Sequence, residues 1–508
     1  MANRRSSTAG FNEKRPVRFR VEKKTAQETQ DLITEFDSLF GKSVSAFARQ
    51  KILSRLRNFA YGALTCLGRQ TVSGILTASG QQFKDWSAAY RVFSQLRVDI
   101  DELFKVSQKE VMNEIGPEQI LVAHMDDTIL KKTGKKIPGT SWRRDPLGPP
   151  FQTNFIWGQR FLQISLALPS KEGICQSRSI PVDFHHCPTA KKPGRKASLE
   201  EIDQYKEAQK QLNLSLQGVN RIKKLRQSLD DNGAKDKELY LSVDGSYTNS
   251  NVLKNLPQRV TLIGRIRKDT RLYRIPELTN NTGRKRVYGE RIPTPEEIRK
   301  SDNYQWQQVK GWAAGKEHVF NVKVVKGLRW EAAGAKHDLQ LVIIRPLHYR
   351  LNNKSRLLYR EPCYLICTDN NLDIEKLLQA YLWRWEIEVN FRDEKTLLGA
   401  GKAQVRNEHS VASLPAFTAA IYSYLLIAAH KTCRKPDRSK LLPRPKWYPA
   451  KNDQRLSTGE ILNLLRSQLW AKALGCDSFT GFVKRELQTR NRKNNAPTLS
   501  SAICYIRN

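Results

Sequence analysis

The sequence predicts a multidomain chain of mixed α/β and α+β class, with a helical module first and a β-rich segment inserted before the last core helix. Three observations support this prediction. Apolar residues recur at helical spacing early in the chain, two short apolar strands end in aspartates, and strand-like segments dominate the region after the second aspartate. A chain of 508 residues has room for about two to four domains.

The expected boundaries follow changes in residue pattern along the chain. Helix-period residues such as Leu32, Phe36 and Leu39 favour four to six helices in the N-terminal module. The boundaries predicted in this way are a basic arm at 1–24, a helical module at 25–118, a first core part at 119–257, a β-rich insertion at 258–370, a core helix and core end at 371–430, and a basic helical region at 431–508.

Strand ends carry the acids of the predicted core. The apolar run that begins at Gln119 reaches Asp126 and Asp127, and a second run, from Leu239, ends at Asp244. Between them, the segment 155–168 is interpreted as a hairpin with Gly158 near its turn. Turn formation is the competing interpretation for each acid, since aspartates often cap turns and Asp-Gly is an ordinary turn dipeptide.

The charge balance restricts the partner. Lys and Arg number 87 against 50 Asp and Glu, which gives a formal net charge of +37. An excess of this size favours a polyanion, and without an evident apolar run of about 20 residues a membrane partner is not expected. Nucleic acid is therefore the predicted partner, and the helical module at 25–118 is a candidate DNA-binding domain. Helical packing alone would give the same pattern there.

The most informative segment is Tyr381 to Lys395, which contains Arg384 and Glu388 in the pattern Y-x2-R-x3-E-x6-K. A helix is expected to start near Asp373, which can cap it, and to stop before Gly399. On one continuous helix these four side chains would lie within about 60° of one another. The ordinary alternative is a solvated amphipathic helix with an i,i+4 ion pair between Arg384 and Glu388.

Two aspartates at strand ends and a glutamate on a later helix are typical of a ribonuclease H-like nuclease. Phosphodiester chemistry with two metal ions needs about three carboxylates that converge from different elements. Asp244, Glu388 and one of the neighbours Asp126 and Asp127 are the predicted ligands. Magnesium or manganese, two ions per site, fits their hard oxygen donors.

The chain resembles bacterial insertion-sequence transposases of the DDE class that carry the Tyr-Arg-Glu-Lys signature. Asp126-Asp127-Thr128 is similar to the motif of the first catalytic aspartate, which implies Asp126 as the first metal ligand, with Asp127 in reserve. Val243 to Tyr247 is similar to the motif of the second, and Glu388 matches the third acid. The stretch from Ile263 through Arg265, Arg267 and Lys268 resembles the basic strand that follows. Tyr381, Arg384 and Lys395 match residues that hold DNA phosphates.

This resemblance implies a DNA transposase that cuts transposon ends and joins the free 3′-hydroxyl to target DNA. It further implies double-stranded DNA as partner, a homodimer on paired ends, and a cytoplasmic, nucleoid-associated bacterial protein. Two alternatives stay open. One is a catalytically inactive, transposase-derived DNA-binding regulator, and the other, less favoured, is a tyrosine recombinase, which would need no metal.

Overall fold

The computed structural model describes residues 31–116, 119–145, 148–149, 151–277, 285–349, 355–433 and 455–473. The predicted basic arm at 1–24 lies outside these ranges, as does most of the basic C-terminal region at 431–508.

Thirteen helices occur within these described ranges, and their first turns show why they form where they do. Asp31 and Asp99 accept backbone N–H groups at the starts of the first and fifth helices, and Asp373 does so at the tenth, as its predicted capping role requires. The helices are α1 Leu32–Lys42, α2 Gln50–Thr65, α3 Val72–Ala78, α4 Ser87–Ser94, α5 Ile100–Glu114, α6 Leu199–Gln211, α7 Leu214–Asp231, α8 Ser250–Lys254, α9 Pro295–Lys300, α10 Ile374–Trp383, α11 Trp385–Thr396, α12 Glu408–Thr432 and α13 Thr458–Ala473.

The strands form one large sheet and a small two-stranded one. They are β1 Leu121–Lys131, β2 Ser141–Arg144, β3 Phe155–Pro169, β4 Ser177–His186, β5 Leu239–Val243, β6 Val260–Arg265, β7 Tyr273–Arg274, β8 Gln307–Ala313, β9 Lys316–Trp330, β10 Gly334–Ile344, β11 His348–Tyr349, β12 Leu358–Tyr359 and β13 Cys363–Cys367.

The large sheet has eleven strands, in the order β2-β3-β1-β5-β6-β13-β10-β9-β7, with β4 also on β3 and β8 also on β9. Neighbours β1 and β5, and then β5 and β6, run parallel, whereas β3 and β4 are antiparallel to the strands beside them. This mixed α/β sheet with covering helices fits the expected ribonuclease H-like core.

Most strands of the β-rich segment do not form a separate sheet, although β11 and β12 pair with each other apart from the large one. Strand β6 pairs with β5 of the core, and β13 closes the other edge of β6 and leads on to β10. Apart from β11 and β12, the described strands between 258 and 370 therefore continue the core sheet, because the free edge of β6 is completed by β13. The boundaries of that segment as a domain stay a prediction.

The predicted hairpin at 155–168 is wrong. Residues Phe155–Pro169 form one strand, and Gly158 lies inside it, opposite both Lys131 of β1 and Ser141 of β2. A Cβ at Gly158 would come within 2.7 Å of the Leu130 carbonyl oxygen. The glycine thus serves a close approach of two strands rather than a turn.

The N-terminal helices pack on the core through α12. Phe59 of α2 and Phe93 of α4 meet Phe417 of α12, with ring centroids 6.1 and 5.6 Å apart. Helices α1 and α5 contact α12 as well. The role of these helices in DNA binding stays a prediction.

Helix α12 corrects the expectation that no apolar run reaches the length of a membrane span. By length and composition alone it is apolar enough to cross a membrane, with a mean hydropathy of 1.7 over its most apolar window. Almost the whole window is buried within the protein, against β4 and α1 among others. Core burial of this kind explains a helix that is apolar on all sides.

Candidate active site

Two aspartates lie side by side at the point where β5 ends. The last paired residues of the parallel strands β1 and β5 are Met125 and Val243, so Asp126 and Asp244 follow at the same edge. Asp244 accepts hydrogen bonds from the backbone N–H and the hydroxyl of Ser246, at 2.9 and 3.0 Å. The two acids therefore lie at neighbouring positions, but the prediction that the first strand ends at Asp126 and Asp127 is wrong, because β1 continues to Lys131.

Strand alternation separates Asp126 from its neighbour Asp127. Successive side chains of a strand point to opposite faces. Asp127 accepts a hydrogen bond of 2.7 Å from the Tyr247 hydroxyl and pairs with Arg160 at 3.2 Å. Asp126 instead faces Arg384, whose Nη1 lies 3.6 Å from its Oδ2. Geometry thus favours Asp126 over Asp127 as the partner of Asp244.

Arg384 joins the third acid to this pair. Its Nη2 lies 3.3 Å from Oε1 of Glu388, one turn further along α11. The Arg384 side chain is only 14% exposed, and that of Glu388 is 38% exposed. The mostly buried guanidinium of Arg384 is therefore shared by Asp126 of β1 and Glu388 of α11. Asp244 is close enough for its charge to act on the same guanidinium.

The negative charge of the site is only partly compensated. Burial, and after it the nearby charge of Asp244, raise the pKa of Asp126 to about 7. The backbone N–H of Asp127 and the charge of Arg384 act against these causes without offsetting them. A carboxyl pair in this condition would be stabilised by an added cation.

The predicted continuous helix is wrong at Arg384. The N–H of Arg384 donates to the Tyr381 carbonyl, 3.1 Å away, and α10 ends where α11 begins. The Ala380 carbonyl, left without its usual helical donor, accepts a hydrogen bond of 2.9 Å from the Ser242 hydroxyl of β5. The expected end of the segment, before Gly399, agrees with the end of α11 at Thr396.

This break divides the four signature residues. Tyr381 stands close to Arg384, 5.7 Å from ring centroid to guanidinium carbon, and its hydroxyl accepts a weak hydrogen bond from the Cys363 thiol. Burial raises the pKa of Tyr381 above its usual value. Lys395 lies about two turns beyond Glu388, with its ammonium 6.0 Å from the Phe391 ring centroid, and burial lowers its pKa.

The three basic residues predicted to follow the second aspartate differ in their surroundings. Arg265 ends β6, and its charge acts on Tyr381, which places it at the site edge. Arg267 is exposed and pairs with Asp269 at 3.0 Å, and Lys268 is exposed as well. Only Arg265 of these three predicted DNA-binding residues is thereby brought near the acids.

The carboxylate oxygens of the three acids suit a hard divalent cation, although the acids do not surround one point in this structure. Within the ranges that the structure describes, no three His, Cys, Asp or Glu side chains lie close enough together to hold a metal ion. Asp126 and Asp244 offer carboxylate oxygens with raised negative potential, and Glu388 stands across the shared Arg384. Oxygen donors of this kind match magnesium or manganese by chemistry.

The sequence analysis did not identify the buried polar residues that lie next to the acids. His124 lies on β1 two residues before Asp126 and is fully buried, and neither ring nitrogen has a partner among the residues described. The terminal amide of Gln163, directly opposite Asp126 on β3, lies 3.1 Å from both carboxyl oxygens of Glu394 and donates to them when its nitrogen and oxygen are exchanged. Burial raises the pKa of Glu394 well above its usual value. The only sequence signal was a set of polar residues inside apolar runs.

Comparison with protein families identifies this arrangement. A family model described as DDE superfamily endonuclease matches residues 44–318, more than half of the chain. The chain belongs to the DDE superfamily endonucleases. No match was found among curated proteins. The match includes Asp126 and Asp244 and ends before α10 and α11, so Glu388 rests on the geometry alone.

Membership confirms the coarser part of the sequence prediction. A DDE superfamily endonuclease is a nuclease, its substrate is DNA, and members generally use divalent metal ions. The excess of 87 Lys and Arg over 50 Asp and Glu is consistent with that substrate.

Proposed function

We propose that this endonuclease is a DNA transposase of the Tyr-Arg-Glu-Lys group from a bacterial insertion sequence. It cuts at transposon ends and joins the resulting 3′-hydroxyl to target DNA. The observation that carries the proposal is that Asp126, within β1, lies beside Asp244, which directly follows the parallel strand β5, with Glu388 across one shared arginine.

In this proposal Asp126, Asp244 and Glu388 hold two divalent ions, magnesium or manganese. Ions held there would supply activation of the attacking water or hydroxyl and stabilisation of the leaving oxygen. Asp126 binds as the carboxylate, so its proton, favoured by burial and by Asp244, must leave first. The contact between Gln163 of β3 and Glu394 of α11 holds the sheet and this helix in a fixed relation while the proton leaves.

Cations around the acids position the DNA strand. Arg384 has five N–H donors, and its contacts with Asp126 and Glu388 leave donors for a phosphate. Arg265 at one side and Lys395 at the other extend this positive track along the site. Tyr381 donates its hydroxyl to a phosphate oxygen. Arg267 and Lys268, which are exposed just after β6, add weaker contacts with the DNA.

The remaining features of the proposal follow from the same assignment. The protein acts as a homodimer on two paired ends, binds target DNA as a second duplex, and works in the cytoplasm on the nucleoid. A tyrosine recombinase is disfavoured because burial raises the pKa of Tyr381, the opposite of what an activated nucleophile needs.

Cleavage of a labelled duplex that carries the flanking ends of the element tests the proposal. With magnesium, wild type should cut at the ends, while Glu388→Gln should bind the same DNA and leave it intact. Equal cutting by both proteins would remove Glu388 from the site. Cutting that persists in EDTA would favour the recombinase, and tight binding without cutting by either protein would favour the inactive regulator.

A further inference from the structure

A second feature lies beyond the carboxylates, on the hairpin that β2 forms with the start of β3. Trp142 is paired with Trp157, and Arg144 with Phe155. Residues directly opposite on an antiparallel pair share a face, as do residues two apart on one strand. Trp142, Arg144, Phe155 and Trp157 therefore lie on one face, here called the aromatic hairpin face.

This face is turned to solvent, and the opposite face is not. Trp142 is 64% and Phe155 60% exposed, whereas Arg143, on the other side, is 6% exposed and donates to the Cys187 carbonyl. The rings of Trp142 and Trp157 meet edge to face with centroids 5.4 Å apart, so the tryptophans hold each other in place. Phe151, in the connection, is 88% exposed. Clustered large apolar side chains in water mark a binding surface.

The charge around the face is strongly positive. Between Lys131 and Arg160 the sequence contains seven Lys or Arg residues and a single acid, Asp145. That acid pairs with Lys131 at 3.6 Å. Lys135 and Lys136 in the preceding loop are exposed, as is Arg144 on the face itself. Cations mixed with exposed rings suit a polyanion that also has flat apolar surfaces.

The aromatic hairpin face is connected to the acidic site through β1. β1 carries Asp126 and runs on to Lys131, which is paired with Gly158 beside Trp157. At about 3.3 Å per residue, the face begins roughly 17 Å beyond Asp126 along the strand. Lys395 of α11 lies alongside this part of β1, since the charges of Asp127, Lys131 and Asp145 all act on it. A DNA strand that follows β1 from the carboxylates past Lys395 would reach this hairpin.

We propose that the aromatic hairpin face binds unpaired DNA bases next to the cleavage site. Trp142, Phe155 and Phe151 stack on base faces, and Arg144 with Lys135 holds the phosphates. Unpaired DNA is the ligand because base faces are covered inside a duplex and become available only where strands separate. This inference rests on the proposed function, because it assumes that the strand passes over Asp126.

Binding without chemistry tests the inference. Full-length protein in EDTA is titrated into two fluorescent probes, a thymidine oligonucleotide and a random duplex, each about 30 nucleotides long so that it exceeds one single-strand site. The double variant Trp142→Ala/Phe155→Ala should bind the single strand at least about tenfold more weakly, from the loss of two stacking contacts. Its affinity for the duplex should stay within about twofold of wild type, since duplex binding depends on phosphates.

Two control variants sharpen the result. Leu199→Ala removes another exposed apolar side chain, 81% exposed and followed by Glu200 and Glu201, and should leave both affinities unchanged. Trp142→Phe keeps an aromatic ring at this position and should bind the single strand nearly as tightly as wild type does. Circular dichroism melting verifies that each variant is folded.

Unchanged single-strand affinity in the double variant would overturn the inference, and so would an equal loss for both probes, which would indicate a general phosphate surface. A measurement on wild type gives an independent check. Single-stranded DNA with 5-iododeoxyuridine should photo-crosslink to the peptide of Trp142 or to that of Phe151 and Phe155, and crosslinks confined to other peptides would refute it. Because no cleavage is involved, failure here leaves the Glu388 experiment unaffected.

Discussion

Two groups of carboxylates among the described residues differ in how far cations compensate their charge. The first lies between α1, α5 and α12, and the second lies at the end of β5. In the first, Glu35 of α1 and Glu110 of α5 both contact Lys431 of α12, and Lys42 reaches Glu110 at 2.8 Å. Burial alone would raise the pKa of Glu110, but the hydrogen bonds from Lys42 and Lys431 outweigh it and the pKa is lowered.

In the second region, three acids share one arginine. Burial and the charge of Asp244 raise the pKa of Asp126, although Arg384 contacts both Asp126 and Glu388. Acids that hold a structure together are matched by cations, so their charge lowers the energy of the fold. Acids left with surplus negative charge are poised to bind a cation that the chain does not supply.

Removing one acid in the second region should have the largest effect of all. Asp126→Asn should slow magnesium-dependent DNA cleavage by about a thousandfold or more, since metal stabilisation of the transition state contributes several kcal/mol. Asp127→Asn, its matched control, should stay within about tenfold of wild type, or about 1.4 kcal/mol, because Asp127 faces Tyr247 and Arg160. Single-turnover cleavage rates measure both, and the reverse order would assign the metal to Asp127.

Removing a cation in the first region should mainly affect stability. Lys431→Met leaves Glu35 and Glu110 facing each other in a buried setting, each with a side chain 4% exposed. We expect the free energy of unfolding to fall by about 3 kcal/mol, measured by urea denaturation. Lys42→Met, at a lysine 46% exposed, should cost less than about 1 kcal/mol. Equal losses would show that the two lysines are not distinguished by burial.

Adding a divalent ion should distinguish the regions directly. Magnesium or manganese at about a hundredfold excess over its dissociation constant should stabilise wild type by about 2.7 kcal/mol. Asp244→Asn should lose most of this gain, whereas Glu110→Gln should keep it. Thermal shifts with and without the metal give the measurement. A gain of the same size in Asp244→Asn would place the ion elsewhere.

The smallest expected effect is a change in acid stability. Because the pKa of Glu110 is lowered on folding, its contribution is present above the ordinary value of 4.5 and is lost as pH falls through the folded pKa. Wild type should therefore lose stability more steeply below pH 4.5 than Glu110→Gln does. Urea midpoints across pH 3 to 6 provide the comparison, and parallel profiles would contradict the prediction.

Local sequence signals determined much of the fold. The position of Asp244 directly after β5, the start of α10 at Asp373 and the end of α11 before Gly399 follow from patterns a few residues long. Alternation, capping and turn chemistry act over such distances, so a single sequence carries them. The three candidate acids, and Arg384 beside Glu388, were predictable for this reason.

Other features depend on residues far apart in the chain. The break at Arg384 is accommodated because the Ser242 hydroxyl bonds the Ala380 carbonyl, a contact across 138 positions. Whether Asp126 or Asp127 faces α11 depends on how β1 is rotated against that helix, and whether β6 ends a core or continues a sheet depends on β13. The sequence by itself determined where elements with local capping or turn signals begin and end, and the tertiary structure decided how far the others extend and which residues meet, because both require packing between distant segments.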